Sequence, residues 1–356
     1  MHEYIIDGGF PIRGSITAGG NKNAALPCIA AALLTEESVT LHNIPDIEDT
    51  RVMLDIARSF GADVECVKNH SWKITAKQFA NTMIPPDLSK KIRASILFAG
   101  PLLARTGRAE MLPPGGDVIG RRRLDTHFLA LTELGARVDI NGKFVFYADA
   151  LKGADIFLDE MSVTATENAV MAAALAQGET IISNAASEPH VQTLCTMLVS
   201  MGAKISGIGS NILRIEGVDS LHGCECTIGP DYMEIGSFIG LAAATRGSLT
   251  IDGVNPQDMR PLRLGFSKLG IAWNIDGTTL TVPERQELKV NGDIGNSTPK
   301  IDDAPWPGFP PDLTSIMTVV ATQVEGTVLI FEKMFESRMF FVDKLINMVA
   351  CITLCD

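Results

Sequence analysis

The sequence is poor in positive charge. Its 356 residues carry 30 Lys and Arg against 42 Asp and Glu, a formal net charge of −12. A polyanion needs a basic face to release counterions, so nucleic acid is excluded as the main partner, and any anionic ligand must be met by locally concentrated charge. Long apolar runs are missing too. None reaches the roughly 18 residues of a membrane span, so membrane insertion is not expected. The opening Met-His-Glu-Tyr-Ile-Ile-Asp has no basic-then-apolar leader, which reads as a cytoplasmic chain. Cysteines are few, odd in number (seven) and scattered. Cys224 and Cys226 share one strand face but lack a second pair to complete a zinc site, so no metal and free, buried thiols are expected. Disorder is expected nowhere except the Pro-rich stretch 296–311.

Small apolar residues and a repeat are plentiful. Phe-Gly-Ala-Asp-Val, Leu-Gly-Ala-Arg-Val, Met-Gly-Ala-Lys-Ile, Leu-Gly-Ile-Ala-Trp and Met-Val-Ala-Cys-Ile have their second residue at 61, 135, 202, 270 and 349. Gly there suits a helix C-terminus that needs positive φ, and the β-prone residues after it read as a strand. Before the first, third, fourth and fifth copies lies a helix of small residues, such as Asn-Ala-Val-Met-Ala-Ala-Ala-Leu-Ala from 168, apolar all round and hence buried. The unit is helix, strand, loop, helix, strand, strand. Five fit, and a sixth would run to about residue 420 by the repeat period. Either five units suffice, or the polypeptide is cut short, by nature, by a frameshift or by its preparation.

Four segments can carry chemistry. Ala-Gly-Gly-Asn-Lys-Asn (18–23) sets two glycines and Lys22 before a helix start, where backbone donors favour an anion; an ordinary turn with a surface lysine fits equally. Asp312, in Phe-Pro-Pro-Asp, opens a helix as a cap or as a functional acid. Arg93 opens an apolar helix. Gly-Gly-Asp-Val-Ile-Gly-Arg-Arg-Arg-Leu-Asp-Thr-His (115–127) concentrates Asp117, three arginines, Asp125 and His127.

Together with Arg-Ala-Ser at 93 and Phe-Glu-Ser-Arg at 335, these segments occur in order over essentially the whole chain. They resemble the enolpyruvyl transferases of the UDP-N-acetylglucosamine 1-carboxyvinyltransferase type. The resemblance implies two inside-out α/β barrels built of βαβαββ repeats, three to a domain. One would be complete over 22–229, the other, 1–21 plus 230–356, incomplete at its C-terminal end because the family has six units. It implies transfer of enolpyruvyl from phosphoenolpyruvate to the 3-hydroxyl of UDP-N-acetylglucosamine, with no cofactor. The matched positions make Asp312 the candidate base, put Lys22 and Arg122 on phosphoenolpyruvate, and put Asn23 beside the reaction centre. Arg93, Arg123, Leu124, Asp125, His127, Ser162, Val163 and Met334 would surround the nucleotide sugar. Asp117 stands where most members carry a cysteine that reacts with fosfomycin, which implies resistance. Glu160 replaces a lysine often found near the diphosphate, a loss that Arg121 or Arg123 would have to offset. The alternatives are a nucleotide-sugar-binding protein without turnover and the related 5-enolpyruvylshikimate-3-phosphate synthase.

Overall fold

A computed structural model describes residues 4–116, 123–335 and 337–355. The chain forms two compact units, one between Gly20 and Gly229, the other from residues up to Gly19 and from Pro230 onward.

In the first unit three helices are buried almost entirely: Lys22–Ala31, Ala99–Thr106 with the 3-10 turn Arg93–Phe98 leading into it, and Val163–Ala173. The apolar helix that Arg93 opens is thus the inner helix of the second repeat, entered through a 3-10 turn that departs from the 3.6-residue period. These helices approach closely because small side chains line them. At Gly100 a Cβ would lie 2.7 Å from the Asn168 carbonyl oxygen, so alanine would force the pair apart. Amphipathic helices Glu48–Ser59, Asp125–Glu133 and Pro189–Ser200 each cover one apolar face, and Phe60, Phe98 and Phe146 fill the core.

Three sheets wall this core, and each repeats one pattern. In the first, Glu225–Thr227 runs parallel to Val39–His42, which pairs antiparallel with Ser71–Thr75 and through it with Asp63–Lys68. In the third, Asp155–Phe157 is parallel to Glu179–Ser183, followed by Ile212–Glu216 and Lys204–Ser206. The middle sheet, Arg108–Met111, Phe144–Tyr147 and Arg137–Ile140, keeps its parallel partner only as a bridge from Met83 to Glu110. Among the described residues the sheets remain separate, so the expected barrel is an arrangement of open sheets around helices without closed hydrogen bonding.

The other unit has the same plan. Arg13–Thr17 lies parallel to Ser248–Asp252, then Thr279–Val282 and Asn274–Asp276 follow antiparallel, and Lys300–Asp302 is parallel to Leu329–Phe331. Helices Tyr232–Ala244 and Met259–Ser267 pack with Thr314–Ala321 around Phe266, Trp273 and Phe309. The Pro-rich stretch is ordered, against expectation: Ile301, Asp303 and Phe309 are buried.

The repeat's helix ends all take positive φ, +95° at Gly61 and Gly135, +103° at Gly202 and +73° at Gly270. Val349, at the fifth position, takes +70° as well. A β-branched residue is strained there, so the turn geometry is imposed by the repeat against the preference of its residue. The seven cysteines are free, but only Cys28 and Cys195 are fully buried; Cys66, Cys351 and Cys355 are exposed.

Candidate active site

Lys22 is the first residue of a buried helix. Asn21 caps it, its Oδ1 accepting from the Ala24 amide at 3.1 Å. Gly20 is required by crowding, since a Cβ would fall 1.8 Å from the Asn43 carbonyl oxygen. The loop thus holds the helix N-terminus tightly while Lys22 and Asn23 stay half-buried at its mouth. The Lys22 ammonium lies 3.2 Å from Asp49 Oδ2, and both side chains keep substantial exposure. An exposed pair of this kind contributes at most about 1 kcal/mol, so an arriving anion can exchange for Asp49 cheaply.

The glycines of Pro-Gly-Gly are likewise set by packing. The Gly115 amide donates to the Ser89 carbonyl at 3.1 Å, and a Cβ on Gly115 would sit 1.7 Å from the Lys90 carbonyl oxygen. Gly116, at φ +105°, lies over Arg93. Arg93 reaches the other side of the loop, its Nη2 donating to the Arg123 carbonyl at 2.7 Å. The loop's two ends are therefore docked on one segment. Asp117, Arg121 and Arg122 lie outside the described residues.

Arg123 is enclosed by acids. Its Nε donates to Asp125 Oδ2 at 2.6 Å and Nη2 lies 3.7 Å from Asp159 Oδ2. Glu160 adds a third carboxylate, and these neighbours, Asp125 foremost, raise the guanidinium's already high pKa. Thr126 donates to Asp159 Oδ1 at 2.8 Å, tying helix Asp125–Glu133 to the strand end that precedes Ser162. Ser162 caps helix Val163–Ala173, accepting from the Ala165 amide at 3.4 Å, and Leu124 and Val163 are partly buried at the two helix starts.

His127 has 1% exposure. Asn168 Nδ2 donates to the Ile96 carbonyl at 2.8 Å and to His127 Nδ1 at 3.0 Å, while Asn168 Oδ1 accepts from the Gly100 amide at 2.8 Å. Since Nδ1 accepts, the ring proton sits on Nε2, which donates to Thr164 Oγ1 at 3.0 Å. Burial, and then the charge of Arg93, push the imidazole down to about 3. His127 is a neutral spacer between helix starts, and its side chain is committed inside the protein. Arg93, Arg123, Leu124, Asp125, His127, Ser162 and Val163 are thus brought together. Asp159, Thr164 and Asn168 join them without a motif of their own; the available signal for Asn168 was an amide heading the apolar run Ala169–Ala173.

In the other unit Asp312 caps no helix. Its Oδ1 accepts from Arg338 Nη2 at 2.7 Å, and Arg338 lies over the Phe335 ring, 5.1 Å from its centroid. Arg338 Nε is 4.0 Å from Glu332 Oε2. The fully buried Asp303 accepts from the amides of Lys333 at 2.6 Å and Met334 at 3.2 Å, so it fixes the Met334 backbone. Burial, then the hydrogen bond and charge of Asp303, raise the Glu332 carboxyl to about 7. Asp312 and Met334 are joined through Arg338, Glu332 and Asp303, of which only Arg338 falls in a segment that carries the family resemblance. Among the described residues no group of three or more His, Cys, Asp or Glu is arranged to hold a metal ion.

The pattern of the family described as EPSP synthase (3-phosphoshikimate 1-carboxyvinyltransferase) matches residues 6–355. The chain belongs to this enolpyruvyl transferase family. A Treponema denticola protein named UDP-N-acetylglucosamine 1-carboxyvinyltransferase is 70% identical over 356 residues, covering 100% of this chain and 84% of the relative. A Bradyrhizobium diazoefficiens protein of the same name is 55% identical over 354 residues, 99% of this chain and 82% of the relative. The enolpyruvyl transferase NikO from Streptomyces tendae superposes with a TM-score of 0.81 at 22% identity, covering 95% of this chain and 79% of that one. That likeness shows a shared fold. No described helix is long and apolar enough to cross a membrane.

Proposed function

We propose that this enolpyruvyl transferase moves the enolpyruvyl group of phosphoenolpyruvate to the 3-hydroxyl of UDP-N-acetylglucosamine and releases phosphate. That is the first committed step of peptidoglycan synthesis, a cytoplasmic reaction on which cell-wall growth, shape and division depend. The observation that carries the reading is Lys22, an ammonium at the mouth of a glycine-bounded helix N-terminus, with an exposed carboxylate as its exchangeable partner. The name shared by the 55–70% relatives selects the nucleotide sugar over shikimate 3-phosphate. Residues 22–229 are assigned as the domain that carries the nucleotide-sugar positions, and 1–21 with 230–356 as the domain that carries the base.

Asp312 takes the proton of the 3-hydroxyl as its oxygen attacks C2 of phosphoenolpyruvate, and an acid protonates C3. Lys22 and Arg122 meet the phosphate, with Asn23 beside the reacting carbon. Loss of a C3 proton then expels phosphate and restores the enol double bond. Arg93, Arg123, Leu124, Asp125, His127, Ser162, Val163 and Met334 form the nucleotide-sugar surroundings, His127 by positioning. No cofactor is called for. Asp117 takes the place of a nucleophilic cysteine, and a carboxylate is not alkylated by fosfomycin in the same way, so the protein resists that drug.

Phosphate release measured with UDP-N-acetylglucosamine, and separately with shikimate 3-phosphate, beside a calorimetric titration of the nucleotide sugar, tests the reading. Turnover with the first acceptor is expected. Turnover with the second alone, or nucleotide-sugar binding without phosphate release, rejects it. Asp117→Cys is expected to bring time-dependent fosfomycin inactivation that the unmodified protein lacks.

A further inference from the structure

Helix Lys22–Ala31 and strand Glu225–Thr227 are fastened at one end, where the Asn21 amide donates to the Gly229 carbonyl at 2.8 Å. Cys28 lies seven residues down the helix from that bond, about 10 Å at 1.5 Å per residue. Cys226 lies three residues back along the strand, again about 10 Å at 3.3 Å per residue. Counted from that bond the two thiols stand at the same level of the two elements, both against one hydrophobic core, and each shifts the other's titration. Cys28 is wholly buried in the core, whereas Cys226 is only partly covered and can meet a small solute.

We propose that Cys28 and Cys226 are an oxidative modification site, a thiol pair that a hydroperoxide closes to a disulfide between helix Lys22–Ala31 and strand Glu225–Thr227. The Cys226 thiolate attacks the peroxide oxygen, the O–O bond breaks, and a sulfenic acid forms while water or an alcohol leaves. The Cys28 sulfur then attacks the Cys226 sulfur and gives up its proton, and the hydroxyl departs as a second water. Two thiols are oxidised by two electrons and the peroxide is reduced by two.

Access sets the order of attack, since Cys28 is buried and Cys226 only partly covered. The influence of each thiol on the other runs the same way, pulling Cys226 down against the effect of burial and, together with burial, pushing Cys28 well up. Cys226 is the first to react and Cys28 the resolving partner. Cys224 competes poorly for Cys226. Two residues apart on a strand, their Cα atoms are about 7 Å apart with Cβ atoms pointing the same way, a poor start for a disulfide. Closure would fix the helix that presents Lys22 and Asn23 to the sheet behind it.

The full chain is treated with a slight excess of hydrogen peroxide, its remaining thiols are alkylated, and it is digested without reductant for mass spectrometry. A crosslinked peptide joining Cys28 to Cys226 is expected, 2 Da below the sum of its thiol forms and released by dithiothreitol. It should persist in Cys224→Ser and vanish in Cys226→Ser. Should Cys226→Ser fail to fold, the Cys224→Ser chain and the unmodified protein decide the matter. Recovery of Cys28 as an alkylated thiol while Cys226 passes to sulfinic acid, or a crosslink from Cys226 to any other cysteine, overturns the proposal.

Discussion

Two polar networks serve the two candidate half-sites, and they are built on opposite principles. In the unit between Gly20 and Gly229, the buried His127 meets Asn168 and Thr164, and Asn168 spends its remaining donor and its acceptor on the Ile96 carbonyl and the Gly100 amide. In the other, Asp303 and Glu332 oppose one carboxyl with another beside Arg338, and among the described residues Glu332 Oε2 and Arg338 Nε find no hydrogen-bond partner. A satisfied network fixes a geometry; an incompletely satisfied one holds a proton whose loss changes its charge. The first positions helix starts, while the second surrounds the arginine that holds Asp312.

The contrast is most directly broken at Asn168. Asn168→Leu leaves the Gly100 amide and His127 Nδ1 without their partner inside the core and takes one of two donors from the Ile96 carbonyl, and a loss of about 3 kcal/mol is expected in urea unfolding. A loss below about 1 kcal/mol would mean the network is not the scaffold described.

The two networks should also respond to pH with opposite sign. His127 titrates at about 3 when folded against an ordinary 6.5, so its contribution is present above 6.5 and is lost as pH falls through that window. Relative to His127→Gln, the unmodified protein should lose about 2 kcal/mol between pH 7.5 and pH 5. Glu332 titrates at about 7 when folded against 4.5, so its stabilisation is present below 4.5 and is lost as pH rises through 7. Relative to Glu332→Gln, whose amide can replace the shared proton, the unmodified protein should lose on the order of 1–2 kcal/mol between pH 5 and pH 8. Urea midpoints for the three proteins at these pH values measure both effects, and slopes of the same sign would erase the distinction.

A smaller effect compares the units at their helix ends, where Gly202 and Val349 hold the same kind of turn. Val349→Gly should raise stability by about 0.5–1 kcal/mol in the same assay, the relief of left-handed strain exceeding the added freedom of the unfolded chain.

What was legible in the sequence follows from distance along the chain. The Gly-Ala endings, the buried helix around Ala24–Ala31 and the positions of Lys22 and Asp312 are local patterns, and a period or a motif exposes them. The apolar helix opened by Arg93 is legible too, but its place as the second repeat's inner helix is not, because its entry is a 3-10 turn. The partners that tune the sites were hidden for a different reason. Asn168 meets His127, and Glu332 meets Asp303, across tens of residues, and neither pair has a spacing signature. The role of Pro-Gly-Gly was also illegible, because the atom that demands Gly115 is the carbonyl oxygen of Lys90.

The parallel strand at the side of each outer sheet bears on how the protein is made. Arg13–Thr17 finds its neighbour only in Ser248–Asp252, and Val39–His42 finds Glu225–Thr227 equally late. At about 5–20 residues per second of synthesis, the first strand waits roughly 10–50 s for its partner to leave the ribosome. During that interval the whole intervening unit must fold with one sheet missing its last strand. The N-terminal segment must meanwhile stay unpaired, and a chaperone that shields a single extended strand would find its substrate there.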